Sequence, residues 1–149
     1  MYPFVLMAHN MVRWIVLVSG VIAIFLAFVG WFGKSDWAKM HDRIGAVYVG
    51  FMDLNVLLGF ILYLFLSSVT QTAFANFGAA MGDSMLRFFA VEHILGMIVA
   101  LVLAHVGRVL SKKAIEPVKK HRAAAIWFTL SLLAILAMIP WDRPLGRGF

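Results

Sequence analysis

Four long apolar blocks, at residues 12–32, 44–66, 86–110 and 123–139, are separated by three short polar stretches. A hydrocarbon core about 30 Å thick is crossed by roughly 20 apolar residues in a helix, and each block is close to that length. Strands of a membrane barrel would instead alternate apolar and polar positions over about ten residues. Runs such as "NVLLGFILYLFL" do not alternate. The pattern predicts an all-α integral membrane protein, one up-down bundle of four transmembrane helices forming a single domain over 1–149. The connections at 33–43, 67–85 and 111–122 leave no room for a second domain. Pro117 breaks any helix continuing from the third block, and the small and polar residues of 67–85 read as turns.

Composition agrees with the pattern. Hydrophobic residues make up 63% of the chain and charged residues 13%, whereas soluble domains have about a quarter charged. The absence of cysteine excludes disulfides, thiolate metal sites and thiol nucleophiles. The net charge of +6 sits between apolar blocks, so it reads as an orientation signal, with no nucleic-acid partner expected. All six lysines (Lys34, Lys39, Lys112, Lys113, Lys119, Lys120) fall in the first and third connections, flanked by Arg43, Arg108 and Arg122. The positive-inside rule places those connections in the cytoplasm, and both termini and the middle connection outside. Arg13, Arg87, Arg143 and Arg147 then lie on the outer half. The opening stretch lacks a basic signal-peptide region, so the N-terminus is expected to be retained.

Small residues at helical spacing mark the expected inner faces. They give His9, Arg13, Val16, Gly20, Ala23, Ala27 and Gly30 in the first span, and Gly45, Met52, Gly59 and Tyr63 in the second. The third gives His93, Gly96 or Met97, Ala100, Ala104 and Gly107. Packing accounts for the glycines and alanines. It does not account for a histidine heading two of the three lanes, and a small-residue lane under a histidine leaves room for a flat macrocycle. The fourth span has no ionisable group and is expected to close the bundle and meet lipid.

Ionisable groups within a span are costly and are read as functional. Two neutral imidazoles from facing helices can clamp a haem b, which makes His9 and His93 the candidate metal ligands and Arg13 and Arg87 the candidate propionate partners. Whether one iron is shared depends on where the spans end. Ending them at Lys34 and Arg108 separates the histidines by about 15 Å in height; ending them at Gly30 and Lys112 leaves about 3 Å. His105, about 18 Å from His93 along the helix, would serve a second haem only with His41 or His121, both expected in solvated loops. Asp53 must be neutral, paired or wet within its span, and bonding an imidazole's second nitrogen or relaying protons would suit it. Asn55 is expected to join helices, and Glu92 to meet Arg87 or a neighbouring helix. Met7, Met11, Met81 and Met85 beside His9 raise a Cu(I) reading.

The stretches "AHNMVRW" (8–14), "DLNVLLGFILY" (53–63), "LRFFAVEH" (86–93) and "IPW" (139–141) resemble a family of small four-span bacterial membrane proteins commonly labelled cytochrome b, loosely similar to cytochrome b561. The resemblance covers nearly the whole chain. It implies a multi-pass protein of the bacterial inner membrane in which His9, Arg13, Arg87 and His93 matter. The leading expectation is a haem-b protein passing electrons from a quinol pool to an outer-side acceptor. Two others stay open. One is an accessory subunit of a larger respiratory or photosynthetic complex; the other is a small copper or ion transporter using Asp53 and the outer methionines. No nucleophile–base pair or phosphate loop supports acyl transfer, phosphoryl transfer or hydrolysis.

Overall fold

The computed structural model describes residues 1–141, so the expectations for Arg143 and Arg147 lie outside the described residues. The described chain is helical, with no strand. Four of its helical segments are long and apolar enough to cross a membrane, at Tyr2–Phe32, Lys39–Leu66, Ser84–Lys113 and Pro117–Met138. The elements are α1 (Tyr2–Phe32), α2 (Lys39–Ile61), α3 (Ser68–Ala75), α4 (Phe77–Ala80), α5 (Ser84–Arg87), α6 (His93–Lys113) and α7 (Pro117–Met138). π-helical turns at Leu62–Leu66 and Phe88–Glu92 prolong α2 and lead into α6. Contacts α1–α2, α2–α6, α6–α7 and α7–α1 close the four long helices into a ring.

The spanning segments begin before the apolar blocks, at Tyr2, Lys39, Ser84 and Pro117, and the third also ends later, at Lys113. α1 starts at Tyr2, with Pro3 in its first turn where a missing N–H costs nothing, so His9 stands on a helix well before residue 12. α7 starts at Pro117, which begins this helix as well as ending the previous path. His121 is therefore a helical residue, and it is completely buried. The expectation of a solvated loop histidine is corrected here: the fourth apolar block hid the first turns of its own helix, because Lys119, Lys120 and Arg122 mask the pattern.

The expected inner faces of α1 and α6 correspond closely to the buried residues. On α1 these are Arg13, Val16, Ser19, Gly20, Ala23, Ala27 and Gly30; on α6 they are Met97, Ala100, Ala104, Gly107 and Ser111. On α2 the buried set also includes Tyr48, Val49, Asn55 and Val56. Tyr48 joins the whole ring. Its side chain lies where a Cβ on Gly20 of α1 would come within 2.8 Å of Cε2. Its hydroxyl shares a 2.8 Å hydrogen bond with Ser131 of α7, whose hydroxyl lies 2.7 Å from the Ala100 carbonyl of α6. At the lysine-bearing end Arg108 donates to Asp42 at 2.6 Å, tying α6 to α2.

The middle connection is more ordered than turn chemistry implies. The Asn76 and Asp83 side chains accept from backbone N–H groups at the starts of α4 and α5, the usual service of these residues at a helix N-terminus. α3 then folds back on both π turns. Thr70 donates to the Tyr63 carbonyl at 2.8 Å, and Tyr63 donates through its hydroxyl to the Ala90 carbonyl at 2.7 Å.

Two substitutions test the Tyr48 junction. Tyr48→Phe removes one interhelical hydrogen bond and should cost about 0.6 kcal/mol, the average for such bonds in a membrane. Gly20→Val forces methyls into the ring and should cost about 1–3 kcal/mol. Thermal unfolding in detergent is expected to rank wild type above Tyr48→Phe and that above Gly20→Val; the reverse order of the two variants would mean the ring is not seated there.

Candidate functional site

At the end of the bundle away from the lysines, α1, α2, α3, α6 and the end of α7 enclose a partly open cavity of about 200 Å³. His9, Arg13 and His93 all line it, together with Asn55, Tyr63 and Thr70. His9 stands 23 residues from the end of α1 and His93 20 residues from the end of α6. At 1.5 Å per residue that difference is about 4.5 Å, so the helix ends at Phe32 and Lys113 leave the two histidines at nearly the same height.

Both imidazoles are held the same way. His9 Nδ1 lies 3.1 Å from the backbone carbonyl of Asn55, and His93 Nδ1 lies 2.8 Å from the backbone carbonyl of Met138. A carbonyl only accepts, so each Nδ1 carries the hydrogen, and a neutral ring then keeps its lone pair on Nε2. The Met138 carbonyl is the last of α7, and the helix stops there because Ile139 is extended before Pro140. Trp141 caps the same end, donating from Nε1 to the Leu136 carbonyl at 2.9 Å. The bonded pair comes together because Gly96 on α6 has no side chain, and a Cβ there would overlap Met138. The His9 ring lies over Gly59, where a Cβ would stand in ordinary contact, 3.4 Å from Cε1.

Arg13 is 8% exposed and donates to Asn10 at 3.1 Å. It puts a cation on the cavity wall one turn from His9. The Asn55 side-chain oxygen is buried with no hydrogen-bond partner among the described residues, so a donor entering the cavity would find an unanswered acceptor there.

The remaining candidates lie elsewhere. Arg87 donates to Glu92 at 2.7 Å and to the Met81 carbonyl at 3.3 Å, is exposed, and does not line the cavity. The ion pair with Glu92 was one of the two partnerships the sequence offered for that carboxylate. Asp53 bonds His105 at 2.8 Å across α2 and α6, both side chains about half exposed on the outside of the ring. His105 thus has neither His41 nor His121 as its partner. Those two meet each other at the lysine-bearing end, ring centroids 4.7 Å apart, with Trp37 within 5.2 Å of both. His121 fills a notch at Gly30, where any Cβ would collide with its ring. Met7 and Met11 are exposed, as residues two positions either side of an inward His9 must be. Among the described residues no three His, Asp or Glu side chains gather as a metal site would require.

Of the cavity wall, Tyr63 was legible from its place in the small-residue lane. Thr70 was not, because its connection carried no helical pattern. Asn55 was expected to join helices; its backbone carbonyl does so through His9, while its side-chain oxygen finds no partner among the described residues. No family model matches this chain, and neither does any curated protein or solved structure.

Tyr63→Phe leaves the Ala90 carbonyl without its side-chain donor. At roughly 1 kcal/mol for such a bond, amide hydrogens in 88–92 should exchange about fivefold faster with deuterium, and those of α7 should not change. Unaltered exchange at 88–92 would show that the hydroxyl does not hold the π turn.

Proposed function

We propose that the chain is a haem-b-binding membrane protein that carries electrons between a quinol pool and an acceptor on the side of the cavity. What carries this reading is the shared posture of His9 and His93: two imidazoles on facing helices, on one cavity, each with Nδ1 committed to a backbone carbonyl. That posture is how metal-ligating histidines are usually oriented, the second nitrogen presenting its lone pair. A tetrapyrrole brings four donors of its own, so two imidazoles suffice, and the absence of a three-residue cluster does not weigh against it.

The other residues present fit such a group. Arg13 supplies a cation for a propionate and Gly59 leaves the helix surface low beneath the His9 ring. The partly open side gives an occupant larger than the enclosed volume room to extend. The Arg87 cation is engaged by Glu92, so propionate binding falls to Arg13. When bound, the iron would exchange single electrons between its ferric and ferrous states. The protein's part is to fix both rings, keep water from the inner wall and set the charge nearby. The positive-inside rule, applied to the lysine-rich connections, supports reading the cavity as lying on the outer side.

Copper handling would need thioethers beside His9, and Met7 and Met11 turn away from it.

Membranes expressing the protein should show Soret and α bands on reduction, with the spectrum of a six-coordinate, low-spin haem. His93→Ala and His9→Ala should each abolish that low-spin spectrum. His105→Ala, on the other face, should retain it. A colourless preparation from haem-replete cells, or a spectrum indifferent to both cavity histidines, ends the haem reading.

A further inference from the structure

The Asp53–His105 pair is an anomaly of place. It lies on helices of membrane-spanning length, on the outside of the ring, with relative exposures of 50% and 48%. Around it are the exposed apolar side chains of Val47, Leu54, Leu57, Val102 and Val109. Ionisable groups at such depth almost always face a bundle interior or water. One bond joins Asp53 Oδ1 to His105 Nε2. The other carboxylate oxygen and the other ring nitrogen make no hydrogen bond among the described residues.

A second oddity adjoins the first. Gly50, one turn from Asp53, has nothing within 4 Å of where a Cβ would stand. The other glycines within the spanning helices each admit a neighbour: Tyr48 at Gly20, His121 at Gly30, Phe128 at Gly45, His9 at Gly59, Met138 at Gly96 and Trp127 at Gly107. Gly50 admits none, yet a mid-helix glycine costs about 1 kcal/mol relative to alanine. With Ala46, also exposed, it makes a small-xxx-small pair, the pattern by which membrane helices approach closely.

We infer that this face is where a second copy of the chain docks, α2 of each copy lying against α6 of the other. The occupant follows from symmetry and charge. Two copies inserted in the same direction are related by a two-fold axis along the membrane normal, and an isologous contact must complement itself. α2 and α6 run in opposite directions, and the hydrogen bond fixes Asp53 and His105 at one height. The axis therefore sets each Asp53 opposite the other copy's His105, the unused carboxylate oxygen facing the unused ring nitrogen, which donates when the ring is protonated. The result is a closed ring of two carboxylates and two imidazoles, shielded from lipid. The Ala46–Gly50 notch allows the approach that closes it.

The chain contains no cysteine, which makes the contact directly testable. Leu57 and Val102 flank the pair toward the cavity end, both more than half exposed. Two differently tagged copies, one carrying Leu57→Cys and the other Val102→Cys, are co-expressed and oxidised in native membranes. A disulfide joining the two tags is expected, since only an intermolecular contact produces it. A Cβ at Gly50 meets nothing within 4 Å, so Gly50→Leu should not lower the monomer's thermal unfolding midpoint. It should raise the dimer dissociation constant in vesicles of phosphatidylcholine about tenfold (1.4 kcal/mol), and Asp53→Leu should do the same. No tag-to-tag disulfide, a yield unaffected by Gly50→Leu, or capture of a different chain at Leu57→Cys would each overturn the second-copy reading.

Discussion

In hydrocarbon a polar side chain is costly unless another part of the chain answers it, and the bonds made in answer organise the protein more than its apolar bulk does. With no water to supply partners, a buried donor or acceptor that is paired selects a particular neighbour at a particular height. Tyr48, Ser131 and the Ala100 carbonyl do this for the middle of the bundle. Asn55 and Met138 do it for the two cavity imidazoles, each through a backbone oxygen. Apolar packing alone would let the helices slide and rotate; these few bonds fix rotation and height, and glycines supply the clearance that makes them short enough.

The same rule explains what could be read in advance. The lanes on α1 and α6 were legible because small residues at helical spacing have one use in a membrane, and the buried sets follow them almost residue by residue. Tyr48 escaped notice because a large aromatic in an apolar span looks like lipid contact until Gly20 is seen to receive it. His121 escaped because its helix begins among lysines. The two cavity histidines stood out as polar residues where polarity is costly, but their shared level depended on where α6 ends, at Lys113, three residues past its apolar block. Their common tautomer was not legible at all, since it depends on carbonyls 46 and 45 positions away in sequence.

The charges sort themselves by the same logic. Arg87 and Glu92 answer each other at the exposed end, Arg108 and Asp42 at the lysine-bearing end, and Arg13 remains on the cavity wall with Asn10. A span can therefore hold a cation, but only where the local fold gives it a polar neighbour.

The two π turns separate the cap from the bundle. Each turn holds one residue more than a regular helix of the same rise, so the chain beyond it is swung round by about 100°. Because both interruptions sit just outside the His9–His93 level and are latched together through Tyr63, the segment covering the cavity hangs from the ring on two swivels. Side chains in that cover can be exchanged, or its path lengthened, while the azimuth of either imidazole stays where the four long helices put it.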